Sequence, residues 1–471
     1  MPSTRRDLIG LTALVSSLAA CSPRSQTVLR FLQRATYGTR PGDLERAMTI
    51  GLDACLEEQF ELAKGPDDID QLIGPTPTYR LPHRELLLEA DGAQVTHEFY
   101  AATVGRALYS PRQLYETMVE FWSDHFYIFM RHHSLLVPLK VIDDREVIRP
   151  HALGNFRDLL FASAHSPAML AYLSNVLNGK HLPNENYARE MLELHTLGVD
   201  SDYSQDDVEQ MARVLTGWSA RLVDRGHESY GKFFFDERMH DRGRKRVLQL
   251  NLREGRGHEE LLDVLERLAR HPHTARNVAR KLVRRFVSDQ PPAELVDRVA
   301  GTFLATGGDI KSMLRCLFSS EEFASAPAKL KRPTKFAVSA LRALGCAPDR
   351  HLIDFVLTWL MPLGQPPFQW RLPNGYPDVA TPYYATLYAR WNFAFALLDG
   401  RLAQVDAALA RLLEHSDGSV ATLASTLLHS ELPAALERKL TELLPAHREH
   451  SGPAWRDVAM ILLTSPRFQW T

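Results

Sequence analysis

Cysteine is scarce: Cys21, Cys55, Cys316 and Cys346 are the four in 471 residues, too few and too scattered for a disulfide scaffold or a thiolate metal site. A Gly-rich phosphate loop, a Gly-x-Ser-x-Gly elbow and a His-Glu-x-x-His pair are all missing. The chain therefore lacks the signatures of phosphate-loop enzymes, α/β-hydrolases and zinc metalloproteases. No unit of roughly 20–50 residues repeats, which argues against a solenoid. Neither sign of charge dominates. A formal net charge of −2 offers no cationic excess to a polyanion, so no nucleic-acid partner is expected. With 45% hydrophobic and 24% charged residues the composition is that of an ordinary globular protein, and the length allows a large core or two lobes.

The densest chemistry lies between Leu182 and Trp218. Pro183 and Asn184 supply a stop and an N-cap and Gly198 a C′ residue, so the pattern predicts a helix over residues 185–197. Ser204, with Asp207 three positions on in capping-box register, starts a second helix that Gly217 ends, and the pair reads as an αα-hairpin. Helical periodicity places Tyr187, Ala188, Met191, Leu192, Leu194 and His195 on one arc of the first helix, which buries the histidine. Asn186, Glu190 and Glu193 fall close to one line on the other side, with Arg189 beside them. Two carboxylates three residues apart can hold a metal or share a proton. They can equally be a solvated face answered by Arg189, with His195 a core histidine bonded to a carbonyl. A regular helix separates Glu190 and His195 by about 140°, so each needs partners from another helix.

Pro111 opens a further helix expected over residues 112–130, with Met118, Phe121, Trp122, His125 and Phe129 along one face. Two histidines set in aromatic-rich stripes point to convergence. His125 and His195 are the candidate metal ligands, expected within about 8 Å of each other. Glu190 and Glu193 are candidate catalytic carboxylates, and Trp122, Asn186, Arg189 and Trp218 are candidate cofactor contacts. Imidazole and carboxylate together suit a transition metal such as iron, manganese, zinc or copper.

After Trp218 the texture changes. Two apolar runs, Phe233–Phe235 and Val247–Leu250, flank a polar turn and predict a small β-hairpin. His240 and Asp241 in that turn are a candidate base and its orienter, or simply turn residues. From residue 258 onward helices resume. Arg280, Lys281, Arg284 and Arg285 form a basic helix face that reads as solvated. The stiff Pro/Gly/aromatic loop over residues 364–378 exposes Trp370 and Tyr376 as a lid or platform, or packs over the core. The expected fold is mostly α, a multi-helix globular fold with a small β-hairpin near 230–250. One helical domain covers residues 28–470, with lobes at 28–225 and 258–470 allowed.

Residues 1–21 read as a targeting segment. Arg5 and Arg6 precede the mildly apolar run Leu8–Ala20, which is too short to span a bilayer. Leu18-Ala19-Ala20-Cys21 has the form of a bacterial lipobox, with Cys21 the lipidated residue. Thr4 to Ile9 is similar to the twin-arginine export consensus, a route for proteins already folded. The expected location is the bacterial cell envelope, lipid-anchored, on the periplasmic or extracellular face.

Long motifs run through the whole chain: FLQRATYG at 31–38, MVEFWSDHF at 118–126, NENYARE and LELHTLG on either side of Met191, SQDDVEQMARVLTGW at 204–218, MHDRGRK at 239–245, and PPFQW followed by PNGYP within 366–377. By these it resembles the bacterial family known as domain of unknown function 1800, over essentially residues 28–470. The resemblance implies an exported bacterial protein of unassigned activity, with a co-encoded exported partner from the family numbered 1501. One departure is visible: the family often has Trp-x-Asn-His-Phe where this chain has Trp122-Ser123-Asp124-His125-Phe126. Two functions are expected from these readings. One is an envelope enzyme dependent on a metal or another cofactor. The other is a non-catalytic helical binding or assembly lipoprotein working with the co-encoded partner.

Overall fold

The computed structural model describes residues 23–66, 69–199, 201–415, 418–444 and 452–471; the expected leader, with Cys21, lies outside them. Helix dominates, and four three-residue strands are the only sheet among the described residues. The helices that position the site are α1 (Gly92–Tyr109), α2 (Gln113–His125) and α3 (Leu136–Asp143), the last running into a π-helical turn (Asp144–Ile148). Next, α4 (Glu185–Glu190) runs into a second π-helical turn (Met191–His195), and α5 (Gln205–Val214) follows. Beyond the strands come α6 (Glu259–Ala269), α7 (Pro272–Phe286) and α8 (Pro333–Ala343).

The caps read from the sequence are present. Asn184 accepts the backbone N–H of Asn186 (2.9 Å), and Ser204 and Asp207 form a reciprocal capping box. The helix expected over 185–197 is α-helical only to Glu190 and then widens. Thr196 donates its hydroxyl to the Met191 carbonyl five residues back (2.6 Å), and Gly198, at φ 100°, donates its N–H to Leu192 (3.2 Å). These bonds satisfy terminal carbonyls of the widened turn, a form of helix frequent at functional sites.

Helix α2 stops at His125 instead of continuing to residue 130. The chain beyond it is taken by the loop over residues 364–378: Met130 donates its N–H to Phe368 (3.1 Å), and Trp370 donates its N–H to the Tyr127 hydroxyl. That loop is no exposed platform. Tyr376 is buried and Trp370 half-buried, and Gly375, at φ 69°, sits so close to the Asp124 backbone that any Cβ would overlap it.

The two apolar runs near 230–250 belong to different sheets. Phe233–Phe235 pairs with Trp218–Ala220, and Lys245–Val247 pairs with Leu250–Leu252 across a two-residue turn. Leu248 and Gln249 make that turn at φ 47° and 65°, the positive values a tight hairpin demands.

Two apolar cores hold the molecule together. One gathers residues from Val28 to Ala326; the other is built mostly from residues 336–468 against one side of α1. Helices α6 and α7 pack into the same core as α2 and α4. Helix α1 serves both, with Val95 and Phe99 in the first and Val104, Ala107 and Leu108 in the second. From Phe99 onward the helix is covered on both sides, and its residues there are mostly apolar all round.

Candidate functional site

At the C-terminal end of α2, His125 meets the π turn that carries His195. The ring centroids lie 6.4 Å apart, inside the separation expected from the sequence. His125 donates from Nε2 to the His195 carbonyl (3.0 Å) and accepts at Nδ1 from Lys281 Nζ (3.1 Å). This pattern places the proton of a neutral ring on Nε2. Burial first, then Lys281, holds the His125 pKa well below its ordinary value. The same two causes, in the same order, bring His195 down to about 3.

His195 is 1% exposed, and neither of its ring nitrogens has a hydrogen-bond partner among the described residues. The hydroxyl of Tyr187, whose ring lies 6.2 Å away, is likewise buried and unpartnered. Among the described residues nothing supplies the hydrogen-bond partner that a buried imidazole calls for. Each such group costs roughly 1–3 kcal/mol.

Lys281 was grouped by sequence with a solvated basic face, but only Arg280 of that set is exposed. Half-buried Lys281 donates to His125 Nδ1 and to the Leu194 carbonyl (2.8 Å) and makes no ion pair among the described residues. Burial, reinforced by Arg280 and Arg284, lowers its pKa to about 7. A neutral amine has two N–H bonds. Both are used here, which leaves the nitrogen lone pair free.

On the other face of α2, Glu116, Glu120 and Asp124 stand four residues apart, one above the next. Helix α7 runs antiparallel to α2, so Arg285, one turn past Lys281, ion-pairs with Glu120 and with Asp378 (2.8 Å). Arg332 pairs with Asp124 (2.7 Å) and Asp378 (3.1 Å), and Arg149 with Glu116 (3.0 Å) and Asp144 (2.7 Å) of the first π turn. Burial pushes the Glu120 and Asp378 carboxyls up, but Arg285 and Arg332 pull both below their ordinary values. Asp124 differs: burial, with Glu120 and Asp378 adding to it, outweighs Arg332 and raises its pKa to about 6. Between these groups and Tyr127 and Tyr376 lies a cavity of about 60 Å³, room for a few waters and not for an organic substrate.

The other sequence candidates do not join this site. Glu190 and Glu193 stay on the outer side of their helix, half-buried, with Arg189 bonded to Glu193 (3.5 Å) and Glu185 (3.0 Å). Asn186 is exposed and donates to the Leu173 carbonyl (3.1 Å). Trp122 is a core residue whose indole N–H is taken by Ala152 (3.0 Å). Trp218 is fully buried and stacked on His258, with centroids 4.8 Å apart. His240 donates from Nδ1 to the Thr216 carbonyl (2.7 Å), and its Nε2 faces Glu260 at 3.5 Å. Asp241 does not orient it, being held by Arg213 (2.7 Å). The acid beside His240 is Glu260, paired with buried Lys245 (2.7 Å), and sequence reasoning named neither.

The residues present do not fit a metal at the histidine pair. Both nitrogens of His125 are engaged, and among the described residues no three His, Cys, Asp or Glu side chains come together to hold an ion. What the fold defines is a helical protein organised on one buried helix, with fully paired carboxylates on one side and a histidine–lysine cluster on the other. The chain belongs to the family described as protein of unknown function DUF1800, whose model matches residues 30–470. No curated protein and no solved structure matches it.

Proposed function

We propose that this chain is an exported, lipid-anchored envelope enzyme whose working group is the Lys281 amine, acting by proton transfer or by addition to a carbonyl carbon. The observation that carries the reading is the placement of Lys281. Among the described residues it has no carboxylate partner; it donates to a neutral histidine and a backbone carbonyl, and has a pKa brought to about 7 by burial and neighbouring arginines. An amine needs this to be uncharged and nucleophilic near neutral pH. Export rests on Arg5-Arg6 and on Leu18 to Cys21, and on the family resemblance. Among the described residues no helix is long and apolar enough to cross a membrane, so a lipid at Cys21 is the anchor the sequence offers.

Two measurements test the reading. Labelling by a clickable fatty acid should disappear in Cys21→Ser, and persistent labelling removes the anchor. Competitive acylation of the pure protein should show Lys281 reacting with a midpoint near pH 7, while an exposed lysine titrates some three units higher. A midpoint for Lys281 among the ordinary lysines removes the catalytic reading.

A second reading, a binding or assembly protein working with a co-encoded exported partner, is favoured by one feature. An open groove of about 960 Å³ runs between residues 80–84, the first π turn and Phe233, with an apolar floor and a charged rim.

A further inference from the structure

The open groove beside the first π turn is lined in part by Phe233, the first residue of the strand Phe233–Phe235. That strand pairs with Trp218–Ala220, and the register fixes which of its backbone groups the pairing uses. Arg221 donates its N–H to the Lys232 carbonyl (3.0 Å), and Asp236 donates its N–H to the Gly217 carbonyl (2.8 Å). The Lys232 carbonyl and the Asp236 N–H therefore face the neighbouring strand, as does Phe234 between them, opposite Ser219. Phe233 and Phe235 turn their N–H and C=O groups the other way, where no group among the described residues bonds to them.

An unused strand edge is a template for another chain. It calls for acceptors and donors spaced two residues apart, which an extended peptide backbone offers and a helix, whose backbone is already bonded, does not. The groove that meets this edge at Phe233 is also lined by Leu81 and Pro82, themselves extended at ψ 144° and 153°, and by Ile142, Val147 and Pro167. Apolar side chains at every second position of an added strand would be buried against this lining.

Charge at the rim narrows the choice. Asp70 answers Arg80 (2.7 Å), Glu146 answers Arg145 (3.3 Å), and Asp143 is buried and held by Lys140 (2.6 Å) and Ser166 (2.7 Å). Exposed Arg84 and Lys232 are left against exposed Glu228, a small surplus of positive charge. We infer that the groove binds an extended, acidic segment of another polypeptide as a third strand beside Phe233–Phe235, with alternate apolar side chains against the groove floor. This deepens the assembly reading by naming the chemistry of what is bound, and it rests on that reading for the source of the segment.

The test is amide hydrogen exchange of the full chain, alone and with a synthetic peptide of roughly nine residues that alternates valine with glutamate and threonine. Alone, the Phe233 and Phe235 amides should exchange fast and the Phe234 amide slowly. Saturating peptide should slow the Phe233 and Phe235 amides roughly tenfold or more. A version with lysine in place of glutamate should bind about threefold more weakly. Because a strand bonds its neighbour through every second residue, N-methylation of one alternate set of peptide positions should abolish binding and of the other set should leave it. Unchanged exchange at Phe233 and Phe235 with peptide present, or equal loss from both methylated sets, overturns the inference. So does slow exchange without peptide that is lost on dilution, which assigns the edge to a second copy of this chain. If the co-encoded partner binds the chain while these amides stay fast, the strand site falls and the assembly reading stands. If the peptide binds as described and that partner does not bind, the reading falls and the site stands.

Discussion

Helix α2 carries Glu116, Glu120 and Asp124 on one face and Trp122 and His125 on the other, and burial is handled differently on the two. Each carboxylate meets an arginine brought from a distant part of the chain: Arg149, Arg285 or Arg332. Beyond His125, by contrast, His195 and Tyr187 keep polar atoms with no partner among the described residues. The difference follows from charge. A buried ionised group left alone costs several kcal/mol and must be paired, whereas a neutral ring or phenol left alone costs roughly 1–3 kcal/mol and can be carried by a large fold. The Lys281 amine is on the side that keeps neutral groups, bonded to neutral His125 and a backbone carbonyl.

The largest expected effect breaks the paired face. Arg285→Met leaves Glu120 and Asp378 short of a counter-charge and should lower stability by about 3–5 kcal/mol in urea or thermal unfolding. A loss below about 1 kcal/mol would mean that the carboxylate face is no more demanding than the other. A smaller effect of opposite sign sharpens the contrast. His195→Leu replaces two unpartnered nitrogens by a side chain of similar size and should raise stability by about 1–2 kcal/mol. A loss of that size instead would show that the imidazole has a partner in solution and that the faces are equally satisfied.

Much of this was legible in residues adjacent in sequence. Asn184 and Ser204 with Asp207 act where they were expected to, because a cap is a contact within one turn of chain, while Gly198 lies one position beyond the C′ place it was expected to fill, because the widened turn is capped at Thr196. Burial of His125 and His195 followed from helical periodicity, and their approach from the shared aromatic setting. Lys281 was misread because a run of four basic residues looks solvated unless the neighbouring helix is known. Spacing did carry a hint, since Lys281 and Arg285 stand four apart and so share one side of α7.

The sequence by itself determined the helical class, the caps, the two buried histidines and the family, since each depends on patterns within a few turns or on long motifs. Only the tertiary structure decided that α2 ends at His125, where the backbone beyond it bonds to the loop over residues 364–378. Tertiary packing likewise decided which apolar runs pair as strands, and it set Lys281 against His125 across 156 residues. Those outcomes depend on which distant groups compete for the same hydrogen bonds and the same buried space, and that competition exists only once the helices have packed.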